Sequence, residues 1–212
     1  MNMKSKIAIV DYGMGNLRSV VNAFTFVGAR VKVTNNPKEL AKAAGVVVPG
    51  QGAIRDCVAN LHKLNLVKAL REEVIQKHKP YLGICLGLQV LGDISFEGGE
   101  FECLGWIEGE VKLIKPKGLK VPHLGWNEVN ILHSSPLFEG LSDKECFYFA
   151  HSYILWPNDK SVVVATTDYG EELPVAIHKK NVMAVQFHPE KSQGAGLKLI
   201  KNFINFVEKT AC

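Results

Sequence analysis

Lys79-Pro80-Tyr81-Leu82-Gly83-Ile84-Cys85-Leu86-Gly87-Leu88-Gln89 reads as a strand, a turn and the start of a helix. Residues 81–84 form a short apolar run behind a proline, which suits a buried strand. Leu88, Gln89, Val90 and Leu91 open a helical pattern. Between the two stands one cysteine, with a glycine two residues before it and another two residues after. A nucleophile on a sharp strand-to-helix turn needs small neighbours, because the backbone there is strained and crowded. The turn also brings the sulfur near a helix N-terminus, whose partial positive charge favours a thiolate. Taken alone, the same residues also describe a buried structural cysteine, and the rest of the chain has to decide.

Working upstream, residues 7–10 are a continuous apolar run, as expected of a strand buried on both faces. Asp11-Tyr12-Gly13-Met14-Gly15-Asn16 then turns into a helix over residues 17–27. Leu17, Val20, Val21, Phe24 and Val27 share one face of that helix, and Gly28 stops it. Residues 31–34 are a second strand, Asn36 and Pro37 start a short helix over residues 38–43, and residues 45–48 are a third strand. Residues 55–59 and 64–75 read as helices. Such short alternating units predict an α/β fold: an open, doubly wound, mostly parallel sheet. Ligands then belong outside the carboxyl ends of the strands, at residues 11–16, at residues 49–53 and at the Cys85 turn. The first of these loops is only superficially a dinucleotide fingerprint, since Arg18 stands where its third glycine belongs, and no phosphate-binding P-loop occurs. In the second, Pro49-Gly50-Gln51-Gly52, two glycines around Gln51 let a peptide present an N–H to an anion or flip between two orientations. A plain tight turn is the competing reading there.

Downstream of Ser95 the pattern changes. Residues 97–100 are a loop, and residues 111–114, 129–132, 146–153, 162–167, 175–178 and 182–186 read as closely spaced strands. Lys179-Lys180-Asn181 is long enough to close only a hairpin, so an antiparallel extension is expected on the parallel core. A last amphipathic helix runs from residue 194 or 195 to 209. The 212 residues suit one domain spanning residues 1–212.

Composition narrows the function class. Apolar residues make up 47% and charged residues 22%, with a net charge of +4, ordinary values for a soluble globular protein. Lys112, Lys115, Lys117 and Lys120 form the densest basic stretch. It reads as a solvated hairpin, not a nucleic-acid patch, because no aromatics interleave with it. Cys57, Cys85, Cys103, Cys146 and Cys212 are odd in number and irregularly spaced, which argues for reduced thiols in a cytoplasmic compartment and against a disulfide frame or zinc site. Residues 1–6 are too short and polar for a signal peptide, and no run spans a membrane.

Gln186-Phe187-His188-Pro189-Glu190 follows the last strand directly. The strand fixes direction and Pro189 fixes φ between two polar residues. His188 can then face a nucleophile while Glu190 orients the ring from behind, the logic of a catalytic triad. An H-P-E alone is often a surface turn. After a buried strand, in a chain that also carries the cysteine turn, it becomes much more specific.

With both halves present, the chain resembles the class I (triad) glutamine amidotransferases. The resemblance rests on Gly83-Ile84-Cys85-Leu86-Gly87-Leu88-Gln89, Gln186-Phe187-His188-Pro189-Glu190 and Pro49-Gly50-Gln51-Gly52, in the family's order and over essentially the whole chain. It departs at the second loop, where many members have Pro-Gly-Pro-Gly. Within the family, Asp11-Tyr12-Gly13-Met14-Gly15-Asn16-Leu17-Arg18-Ser19, Pro122-His123-Leu124-Gly125-Trp126-Asn127 and Phe149-Ala150-His151-Ser152-Tyr153 are similar to the branch of glutaminase subunits serving imidazole glycerol phosphate synthesis.

The resemblance implies hydrolysis of L-glutamine by Cys85, His188 and Glu190 without metal or cofactor. Leu86 and Gln51 would supply backbone N–H groups to the oxyanion, and Gly52, Gln89, Glu97 and Ser152 would hold the substrate. It implies a heterodimer with a (β/α)8 cyclase subunit that receives the ammonia. Residues 122–127 would face that partner, with His123 a positioning or interface residue, Trp126 an interface aromatic and Lys191 an interface charge. From the residues themselves, 122–127 read only as a turn with an aromatic anchor, His151 as a hydrogen-bonded histidine at a strand end, and Lys191 equally as a surface lysine. The rival functions are the glutaminase of anthranilate or guanylate synthesis, a peptidase-like cysteine hydrolase, and a non-enzymatic subunit.

Overall fold

The computed structural model describes residues 6–210. The rest of the polar N-terminal stretch and Cys212 lie outside the described residues. In chain order the elements are β1 (Lys6–Val10), α1 (Leu17–Phe26), β2 (Arg30–Thr34), α2 (Pro37–Ala41), β3 (Gly45–Gly50), α3 (Ile54–Lys63) and α4 (Leu66–Leu70), which continues as a π-helical stretch over Arg71–Gln76. Then come β4 (Tyr81–Cys85), α5 (Leu86–Gln89), β5 (Ile94–Ser95), β6 (Phe101–Glu102), β7 (Gly109–Leu113), β8 (His123–Ile131), β9 (Lys144–His151), β10 (Tyr153–Pro157), β11 (Val163–Asp168), β12 (Glu172–Lys179), β13 (Val182–Val185) and α6 (Gln193–Thr210).

Nine strands form one mixed sheet in the order β2-β1-β3-β4-β13-β12-β11-β8-β9. The first five run parallel, and β12, β11, β8 and β9 extend the sheet antiparallel. The expected α/β class and antiparallel extension are both present. The alternation of buried residues explains why β1 reads as a solid apolar run. Ile7 and Ile9 face one core with Phe24, Leu82, Phe149 and Phe203, while Ala8 and Val10 face another with Leu40, Val48, Ile54 and Leu88. Helices cover both faces: Phe24 of α1 meets Phe203 of α6 edge-to-face at 6.5 Å, and each ring so buried contributes roughly 2–3 kcal/mol. Asn36 caps α2 by accepting from the Lys38 N–H at 2.9 Å, with Pro37 in the first turn.

Several expectations need correction. Residues 146–153 are not one strand: the chain leaves the large sheet after His151 and enters a second, four-stranded sheet, β10-β7-β5-β6, at Tyr153. The break is hidden because buried residues continue through it, Phe147 and Phe149 before and Ile154 and Leu155 after. Residues 123–127 are not a turn but the first part of β8, paired with β9 from His123↔His151 onward. Their buried face begins with a histidine and their exposed face carries Leu124 and Trp126, the reverse of the usual polarity signal. The lysines at 112, 115, 117 and 120 do not lie on a hairpin either. β7 pairs with β10 and β5, so the segment after it is a crossover between sheets. The helix expected at 55–59 runs on to Lys63, and β5 and β6 were not foreseen.

Candidate active site

Parallel register gathers the loops. Gly50 lies opposite Cys85 across β3 and β4, and Val185 lies opposite Ile84 across β13 and β4. The residues just past these pairs, Gln51, Leu86 and Gln186, therefore emerge side by side at the carboxyl edge of the sheet.

Cys85 ends β4 at φ 54°, ψ −105°, a strained conformation for a residue with a side chain. The two glycines make it possible. A Cβ on Gly83 would stand 2.3 Å from the Gly87 carbonyl oxygen, and one on Gly87 would stand 1.9 Å from the Val48 carbonyl oxygen. Neither neighbour is a flexible side chain, so the backbone itself would have to move. Gly87→Ala is expected to cost about 3 kcal/mol of unfolding free energy, read as a lowered urea midpoint; an unchanged midpoint would show that the turn relaxes freely.

The partner residues come from the turn after β13. Nδ1–H of His188 donates to Glu190 Oε1 at 2.8 Å, with both side chains buried. A short 3₁₀ turn over Pro189–Lys191 aims them. Ser192 clamps that turn to β9: its hydroxyl donates to the His188 carbonyl at 2.6 Å and accepts from the Tyr148 N–H at 3.0 Å. With Nδ1 committed to the carboxylate, Nε2 is left for the sulfur. Nε2 of His188 and Oε2 of Glu190 are the buried side-chain polar atoms that lack a hydrogen-bond partner among the described residues. The Cys85 sulfur nevertheless acts on this ring. Burial alone would push the His188 imidazolium down, but the interactions with Cys85 and Glu190 outweigh it and raise the pKa to about 9.

The cavity above the cysteine has a volume of about 330 Å³ and is lined by Gln51, Gly52, Cys85, Leu86, Gln89, Glu97, Pro122, Leu124, Ala150, His151, Ser152 and Tyr153. All the residues expected to supply oxyanion donors or hold substrate meet here. Their capacities differ from expectation in two places. Glu97 accepts the Ile54 N–H at 2.8 Å, so it caps α3, whose own N-cap residue Ala53 has no side-chain acceptor; its other oxygen is left for a ligand. Both amide hydrogens of Gln89 are used, on the Tyr153 carbonyl at 2.8 Å and on Gln186 Oε1 at 3.1 Å. Gln89 can therefore offer a ligand only its carbonyl oxygen, an acceptor suited to an ammonium group. Leu86 opens α5, so its N–H has no acceptor within the helix.

The three residues expected at an interface do not line the cavity. Trp126 is exposed on β8 beside Leu124, with its ring edge-on to Tyr148, and the Lys191 ammonium sits 5.6 Å over the same tyrosine. His123 is buried, sandwiched between Phe149 and Tyr169 at ring distances of 4.4 and 3.9 Å. It shares a hydrogen bond with His151. Burial keeps both imidazoles uncharged near neutrality, His123 pushed down to about 4 and His151 to about 3.

Sequence reasoning passed over two contributors. Tyr12 donates its hydroxyl to the Pro49 carbonyl at 2.7 Å, so the first loop buttresses the second; burial raises its phenol far above the ordinary range and keeps it a donor. Gln186 reaches the Cys85 sulfur. Neither long-range contact leaves a local sequence signal, although Gln186 stands beside the motif that holds His188. Among the described residues no cluster of three or more His, Cys, Asp or Glu side chains could hold a metal, and no helix is long and apolar enough to cross a membrane.

Comparison with known proteins agrees with this geometry. The model of the family Glutamine amidotransferase class-I matches residues 8–206. The chain is 50% identical over 197 residues to the imidazole glycerol phosphate synthase subunit HisH of Moorella thermoacetica, covering 93% of each chain. It is 49% identical over 205 residues to the HisH subunit of Aquifex aeolicus, covering 96% of this chain and 98% of the relative. Among solved structures it superposes on PurLQS from Thermotoga maritima with a TM-score of 0.75 at 18% identity, covering 96% of this chain and 99% of the other. The glutaminase domain of CTPS from Trypanosoma brucei superposes with a TM-score of 0.65 at 18% identity, covering 97% and 94%. Those two likenesses speak for the fold.

Proposed function

Since the chain belongs to the class-I glutamine amidotransferases, we propose that Cys85, His188 and Glu190 carry its chemistry, within one glutaminase unit over residues 1–212. Its function is that of the glutaminase subunit of imidazole glycerol phosphate synthase: it releases ammonia from L-glutamine for the histidine pathway. The observation that carries the catalytic reading is the buried His188–Glu190 pair, 2.8 Å apart, at the end of the strand beside the Cys85 turn.

The residues act in sequence. His188 takes the thiol proton at Nε2 while Glu190 holds Nδ1–H and offsets the imidazolium charge. The sulfur attacks the side-chain amide carbon, and the oxyanion that forms is met by the Leu86 N–H and by a backbone N–H of the Gln51 loop. The tetrahedral species breaks its C–N bond as His188 returns the proton to nitrogen, and ammonia leaves. Water, deprotonated by His188, then cleaves the γ-glutamyl thioester to glutamate and restores the thiol. Gln89, Glu97, Gly52 and Ser152 hold the polar ends of the substrate.

Ammonia released into water near neutrality would be protonated and lost as a nucleophile, so a receiving subunit must seal the cavity. We assign that role to a (β/α)8 cyclase subunit, docked over Leu124, Trp126 and Lys191 at the cavity's rim, with the pair working in the cytoplasm. The test is glutamine hydrolysis assayed with the cyclase and its nucleotide substrate. Ammonia transfer into imidazole glycerol phosphate supports the reading, and a glutaminase that neither binds nor feeds a cyclase overturns it.

The raised His188 pKa sets a pH dependence. The acid form of the ring is lost as pH rises through about 9, and with it the proton for the departing ammonia. The alkaline limb of kcat/KM is therefore expected near pH 9. Glu190→Gln removes one of the groups that raise this pKa, so the limb should move to lower pH. A limb that stays in place would show that Glu190 does not act on the ring. The same linkage holds for stability: the contribution of the His188 interactions is complete below about 6.5 and lost as pH rises through about 9.

A further inference from the structure

We propose that Gln186 is a positioning residue for the nucleophile, and that the Tyr153 carbonyl, acting through Gln89, fixes its amide with the N–H end on the Cys85 sulfur. This rests on the reading of Cys85 as nucleophile and adds a residue to that machinery.

The amide of Gln186 is fully buried and its Nε2 lies 3.5 Å from the Cys85 sulfur. The two ends of a glutamine amide have nearly the same shape but opposite effects here. An N–H donor favours an anionic sulfur, whereas a carbonyl oxygen in the same place would repel it. Something must therefore choose the end, and the neighbours do. The Tyr153 carbonyl can only accept, so it draws the Nε2 end of Gln89, at 2.8 Å. The second hydrogen of that nitrogen then points at Gln186, 3.1 Å away, and requires the oxygen of Gln186 to face it. The nitrogen of Gln186 is left for the sulfur.

A separate run of hydrogen bonds from β8 ends on the same carbonyl and holds it in place. Nδ1 of His151 also lies 3.0 Å from the Tyr153 carbonyl and so must carry the hydrogen. Its Nε2 is then an acceptor for Nδ1–H of His123, at 3.2 Å. Nε2 of His123 in turn faces Nδ2 of Asn127 at 3.4 Å, a nitrogen fixed by donating to the Asp168 carbonyl at 2.9 Å. Both runs end on the Tyr153 carbonyl, so the His123–His151 pair anchors that acceptor while Gln89 sets the orientation of Gln186. The titratable groups acting on the sulfur from neighbouring elements are His188, after β13, and Tyr12, after β1. His188 donates from Nε2 when the ring is in its acid form; Gln186 donates whatever the state of that ring.

Gln186→Met keeps the unbranched shape and removes the donor. Gln186→Glu keeps the contact with Gln89 but turns a carboxyl oxygen toward the sulfur. In complex with the cyclase subunit, both are expected to slow alkylation of Cys85 by iodoacetamide at pH 7 about tenfold or more, the glutamate more than the methionine. The modification is read on the peptide that carries Cys85. Glutaminase kcat should fall by a similar factor while KM stays within about twofold. Alkylation and kcat within twofold of the parent in either folded variant overturn the proposal; a parent-like glutamate variant beside an impaired methionine variant would put the role in the contact with Gln89 and not in a donor on the sulfur. Failure of the underlying assignment looks different: Cys85→Ala would retain glutaminase activity.

Discussion

Cys85→Ala is expected to reduce glutamine hydrolysis on the order of 10⁴-fold or more without unfolding the protein. The side chain is small and 6% exposed, so its removal leaves little cavity, and alanine meets the same backbone conformation that cysteine already tolerates. What disappears is the covalent route through the thiol. Cys57 packs in the core on the far side of β3, and its thiol is pushed up to about 12 by burial. Because nucleophile and base act as a unit, a Cys85→Ala, His188→Asn double variant should be no worse than Cys85→Ala alone. The measurement is steady-state ammonia release with the cyclase present, paired with a urea unfolding curve. Near-parental release from a folded alanine variant would remove the triad assignment, and multiplicative losses in the double variant would mean that the two residues act independently.

Why the proposed triad stands out in the sequence, and its surroundings do not, follows from the range of the contacts. Cys85 sits between glycines that the turn demands, and His188 and Glu190 are two residues apart across a proline. Each half is a local pattern, and the βα alternation supplies the sheet that brings them together. The inner parallel strands β1, β3, β4 and β13 were legible for the same reason, since each buries both faces and so reads as an apolar run, while β2 lies exposed at the sheet edge. The antiparallel half was harder. At β9 and β10 one run of buried residues serves two sheets, and on β8 the buried side begins with a histidine held between two aromatic rings. The supporting residues are less legible still. Gln89 meets Gln186 across 97 residues of sequence, His123 meets His151 across 28, and Glu97 caps a helix that starts 43 residues earlier. No window of sequence contains both partners, and a glutamine beside a recognised motif looks like part of its strand.

The cyclase subunit with its nucleotide is expected to raise kcat/KM for glutamine by about 10² to 10³, the usual worth of one oxyanion donor. The reason lies in the Gln51–Gly52 peptide. Gly52 holds φ at +111°, a region that side chains avoid, with Met14 packed where its Cβ would be. Rotating that peptide by half a turn would carry φ to about −70°, which any residue adopts, and would exchange the directions of its N–H and C=O. Gln51 and Gly52 share the cavity lining with Leu124 of the exposed β8 face, so a partner bound there can act on this peptide directly. Gly52→Ala separates the two states, because alanine penalises the present conformer and tolerates the rotated one. If the rotated conformer is the active one, the variant should hydrolyse glutamine faster than the parent when alone and gain less from the cyclase. A partner effect of equal size in parent and variant would place the activation elsewhere, and equal parental rates with and without the cyclase would remove gating by this loop altogether.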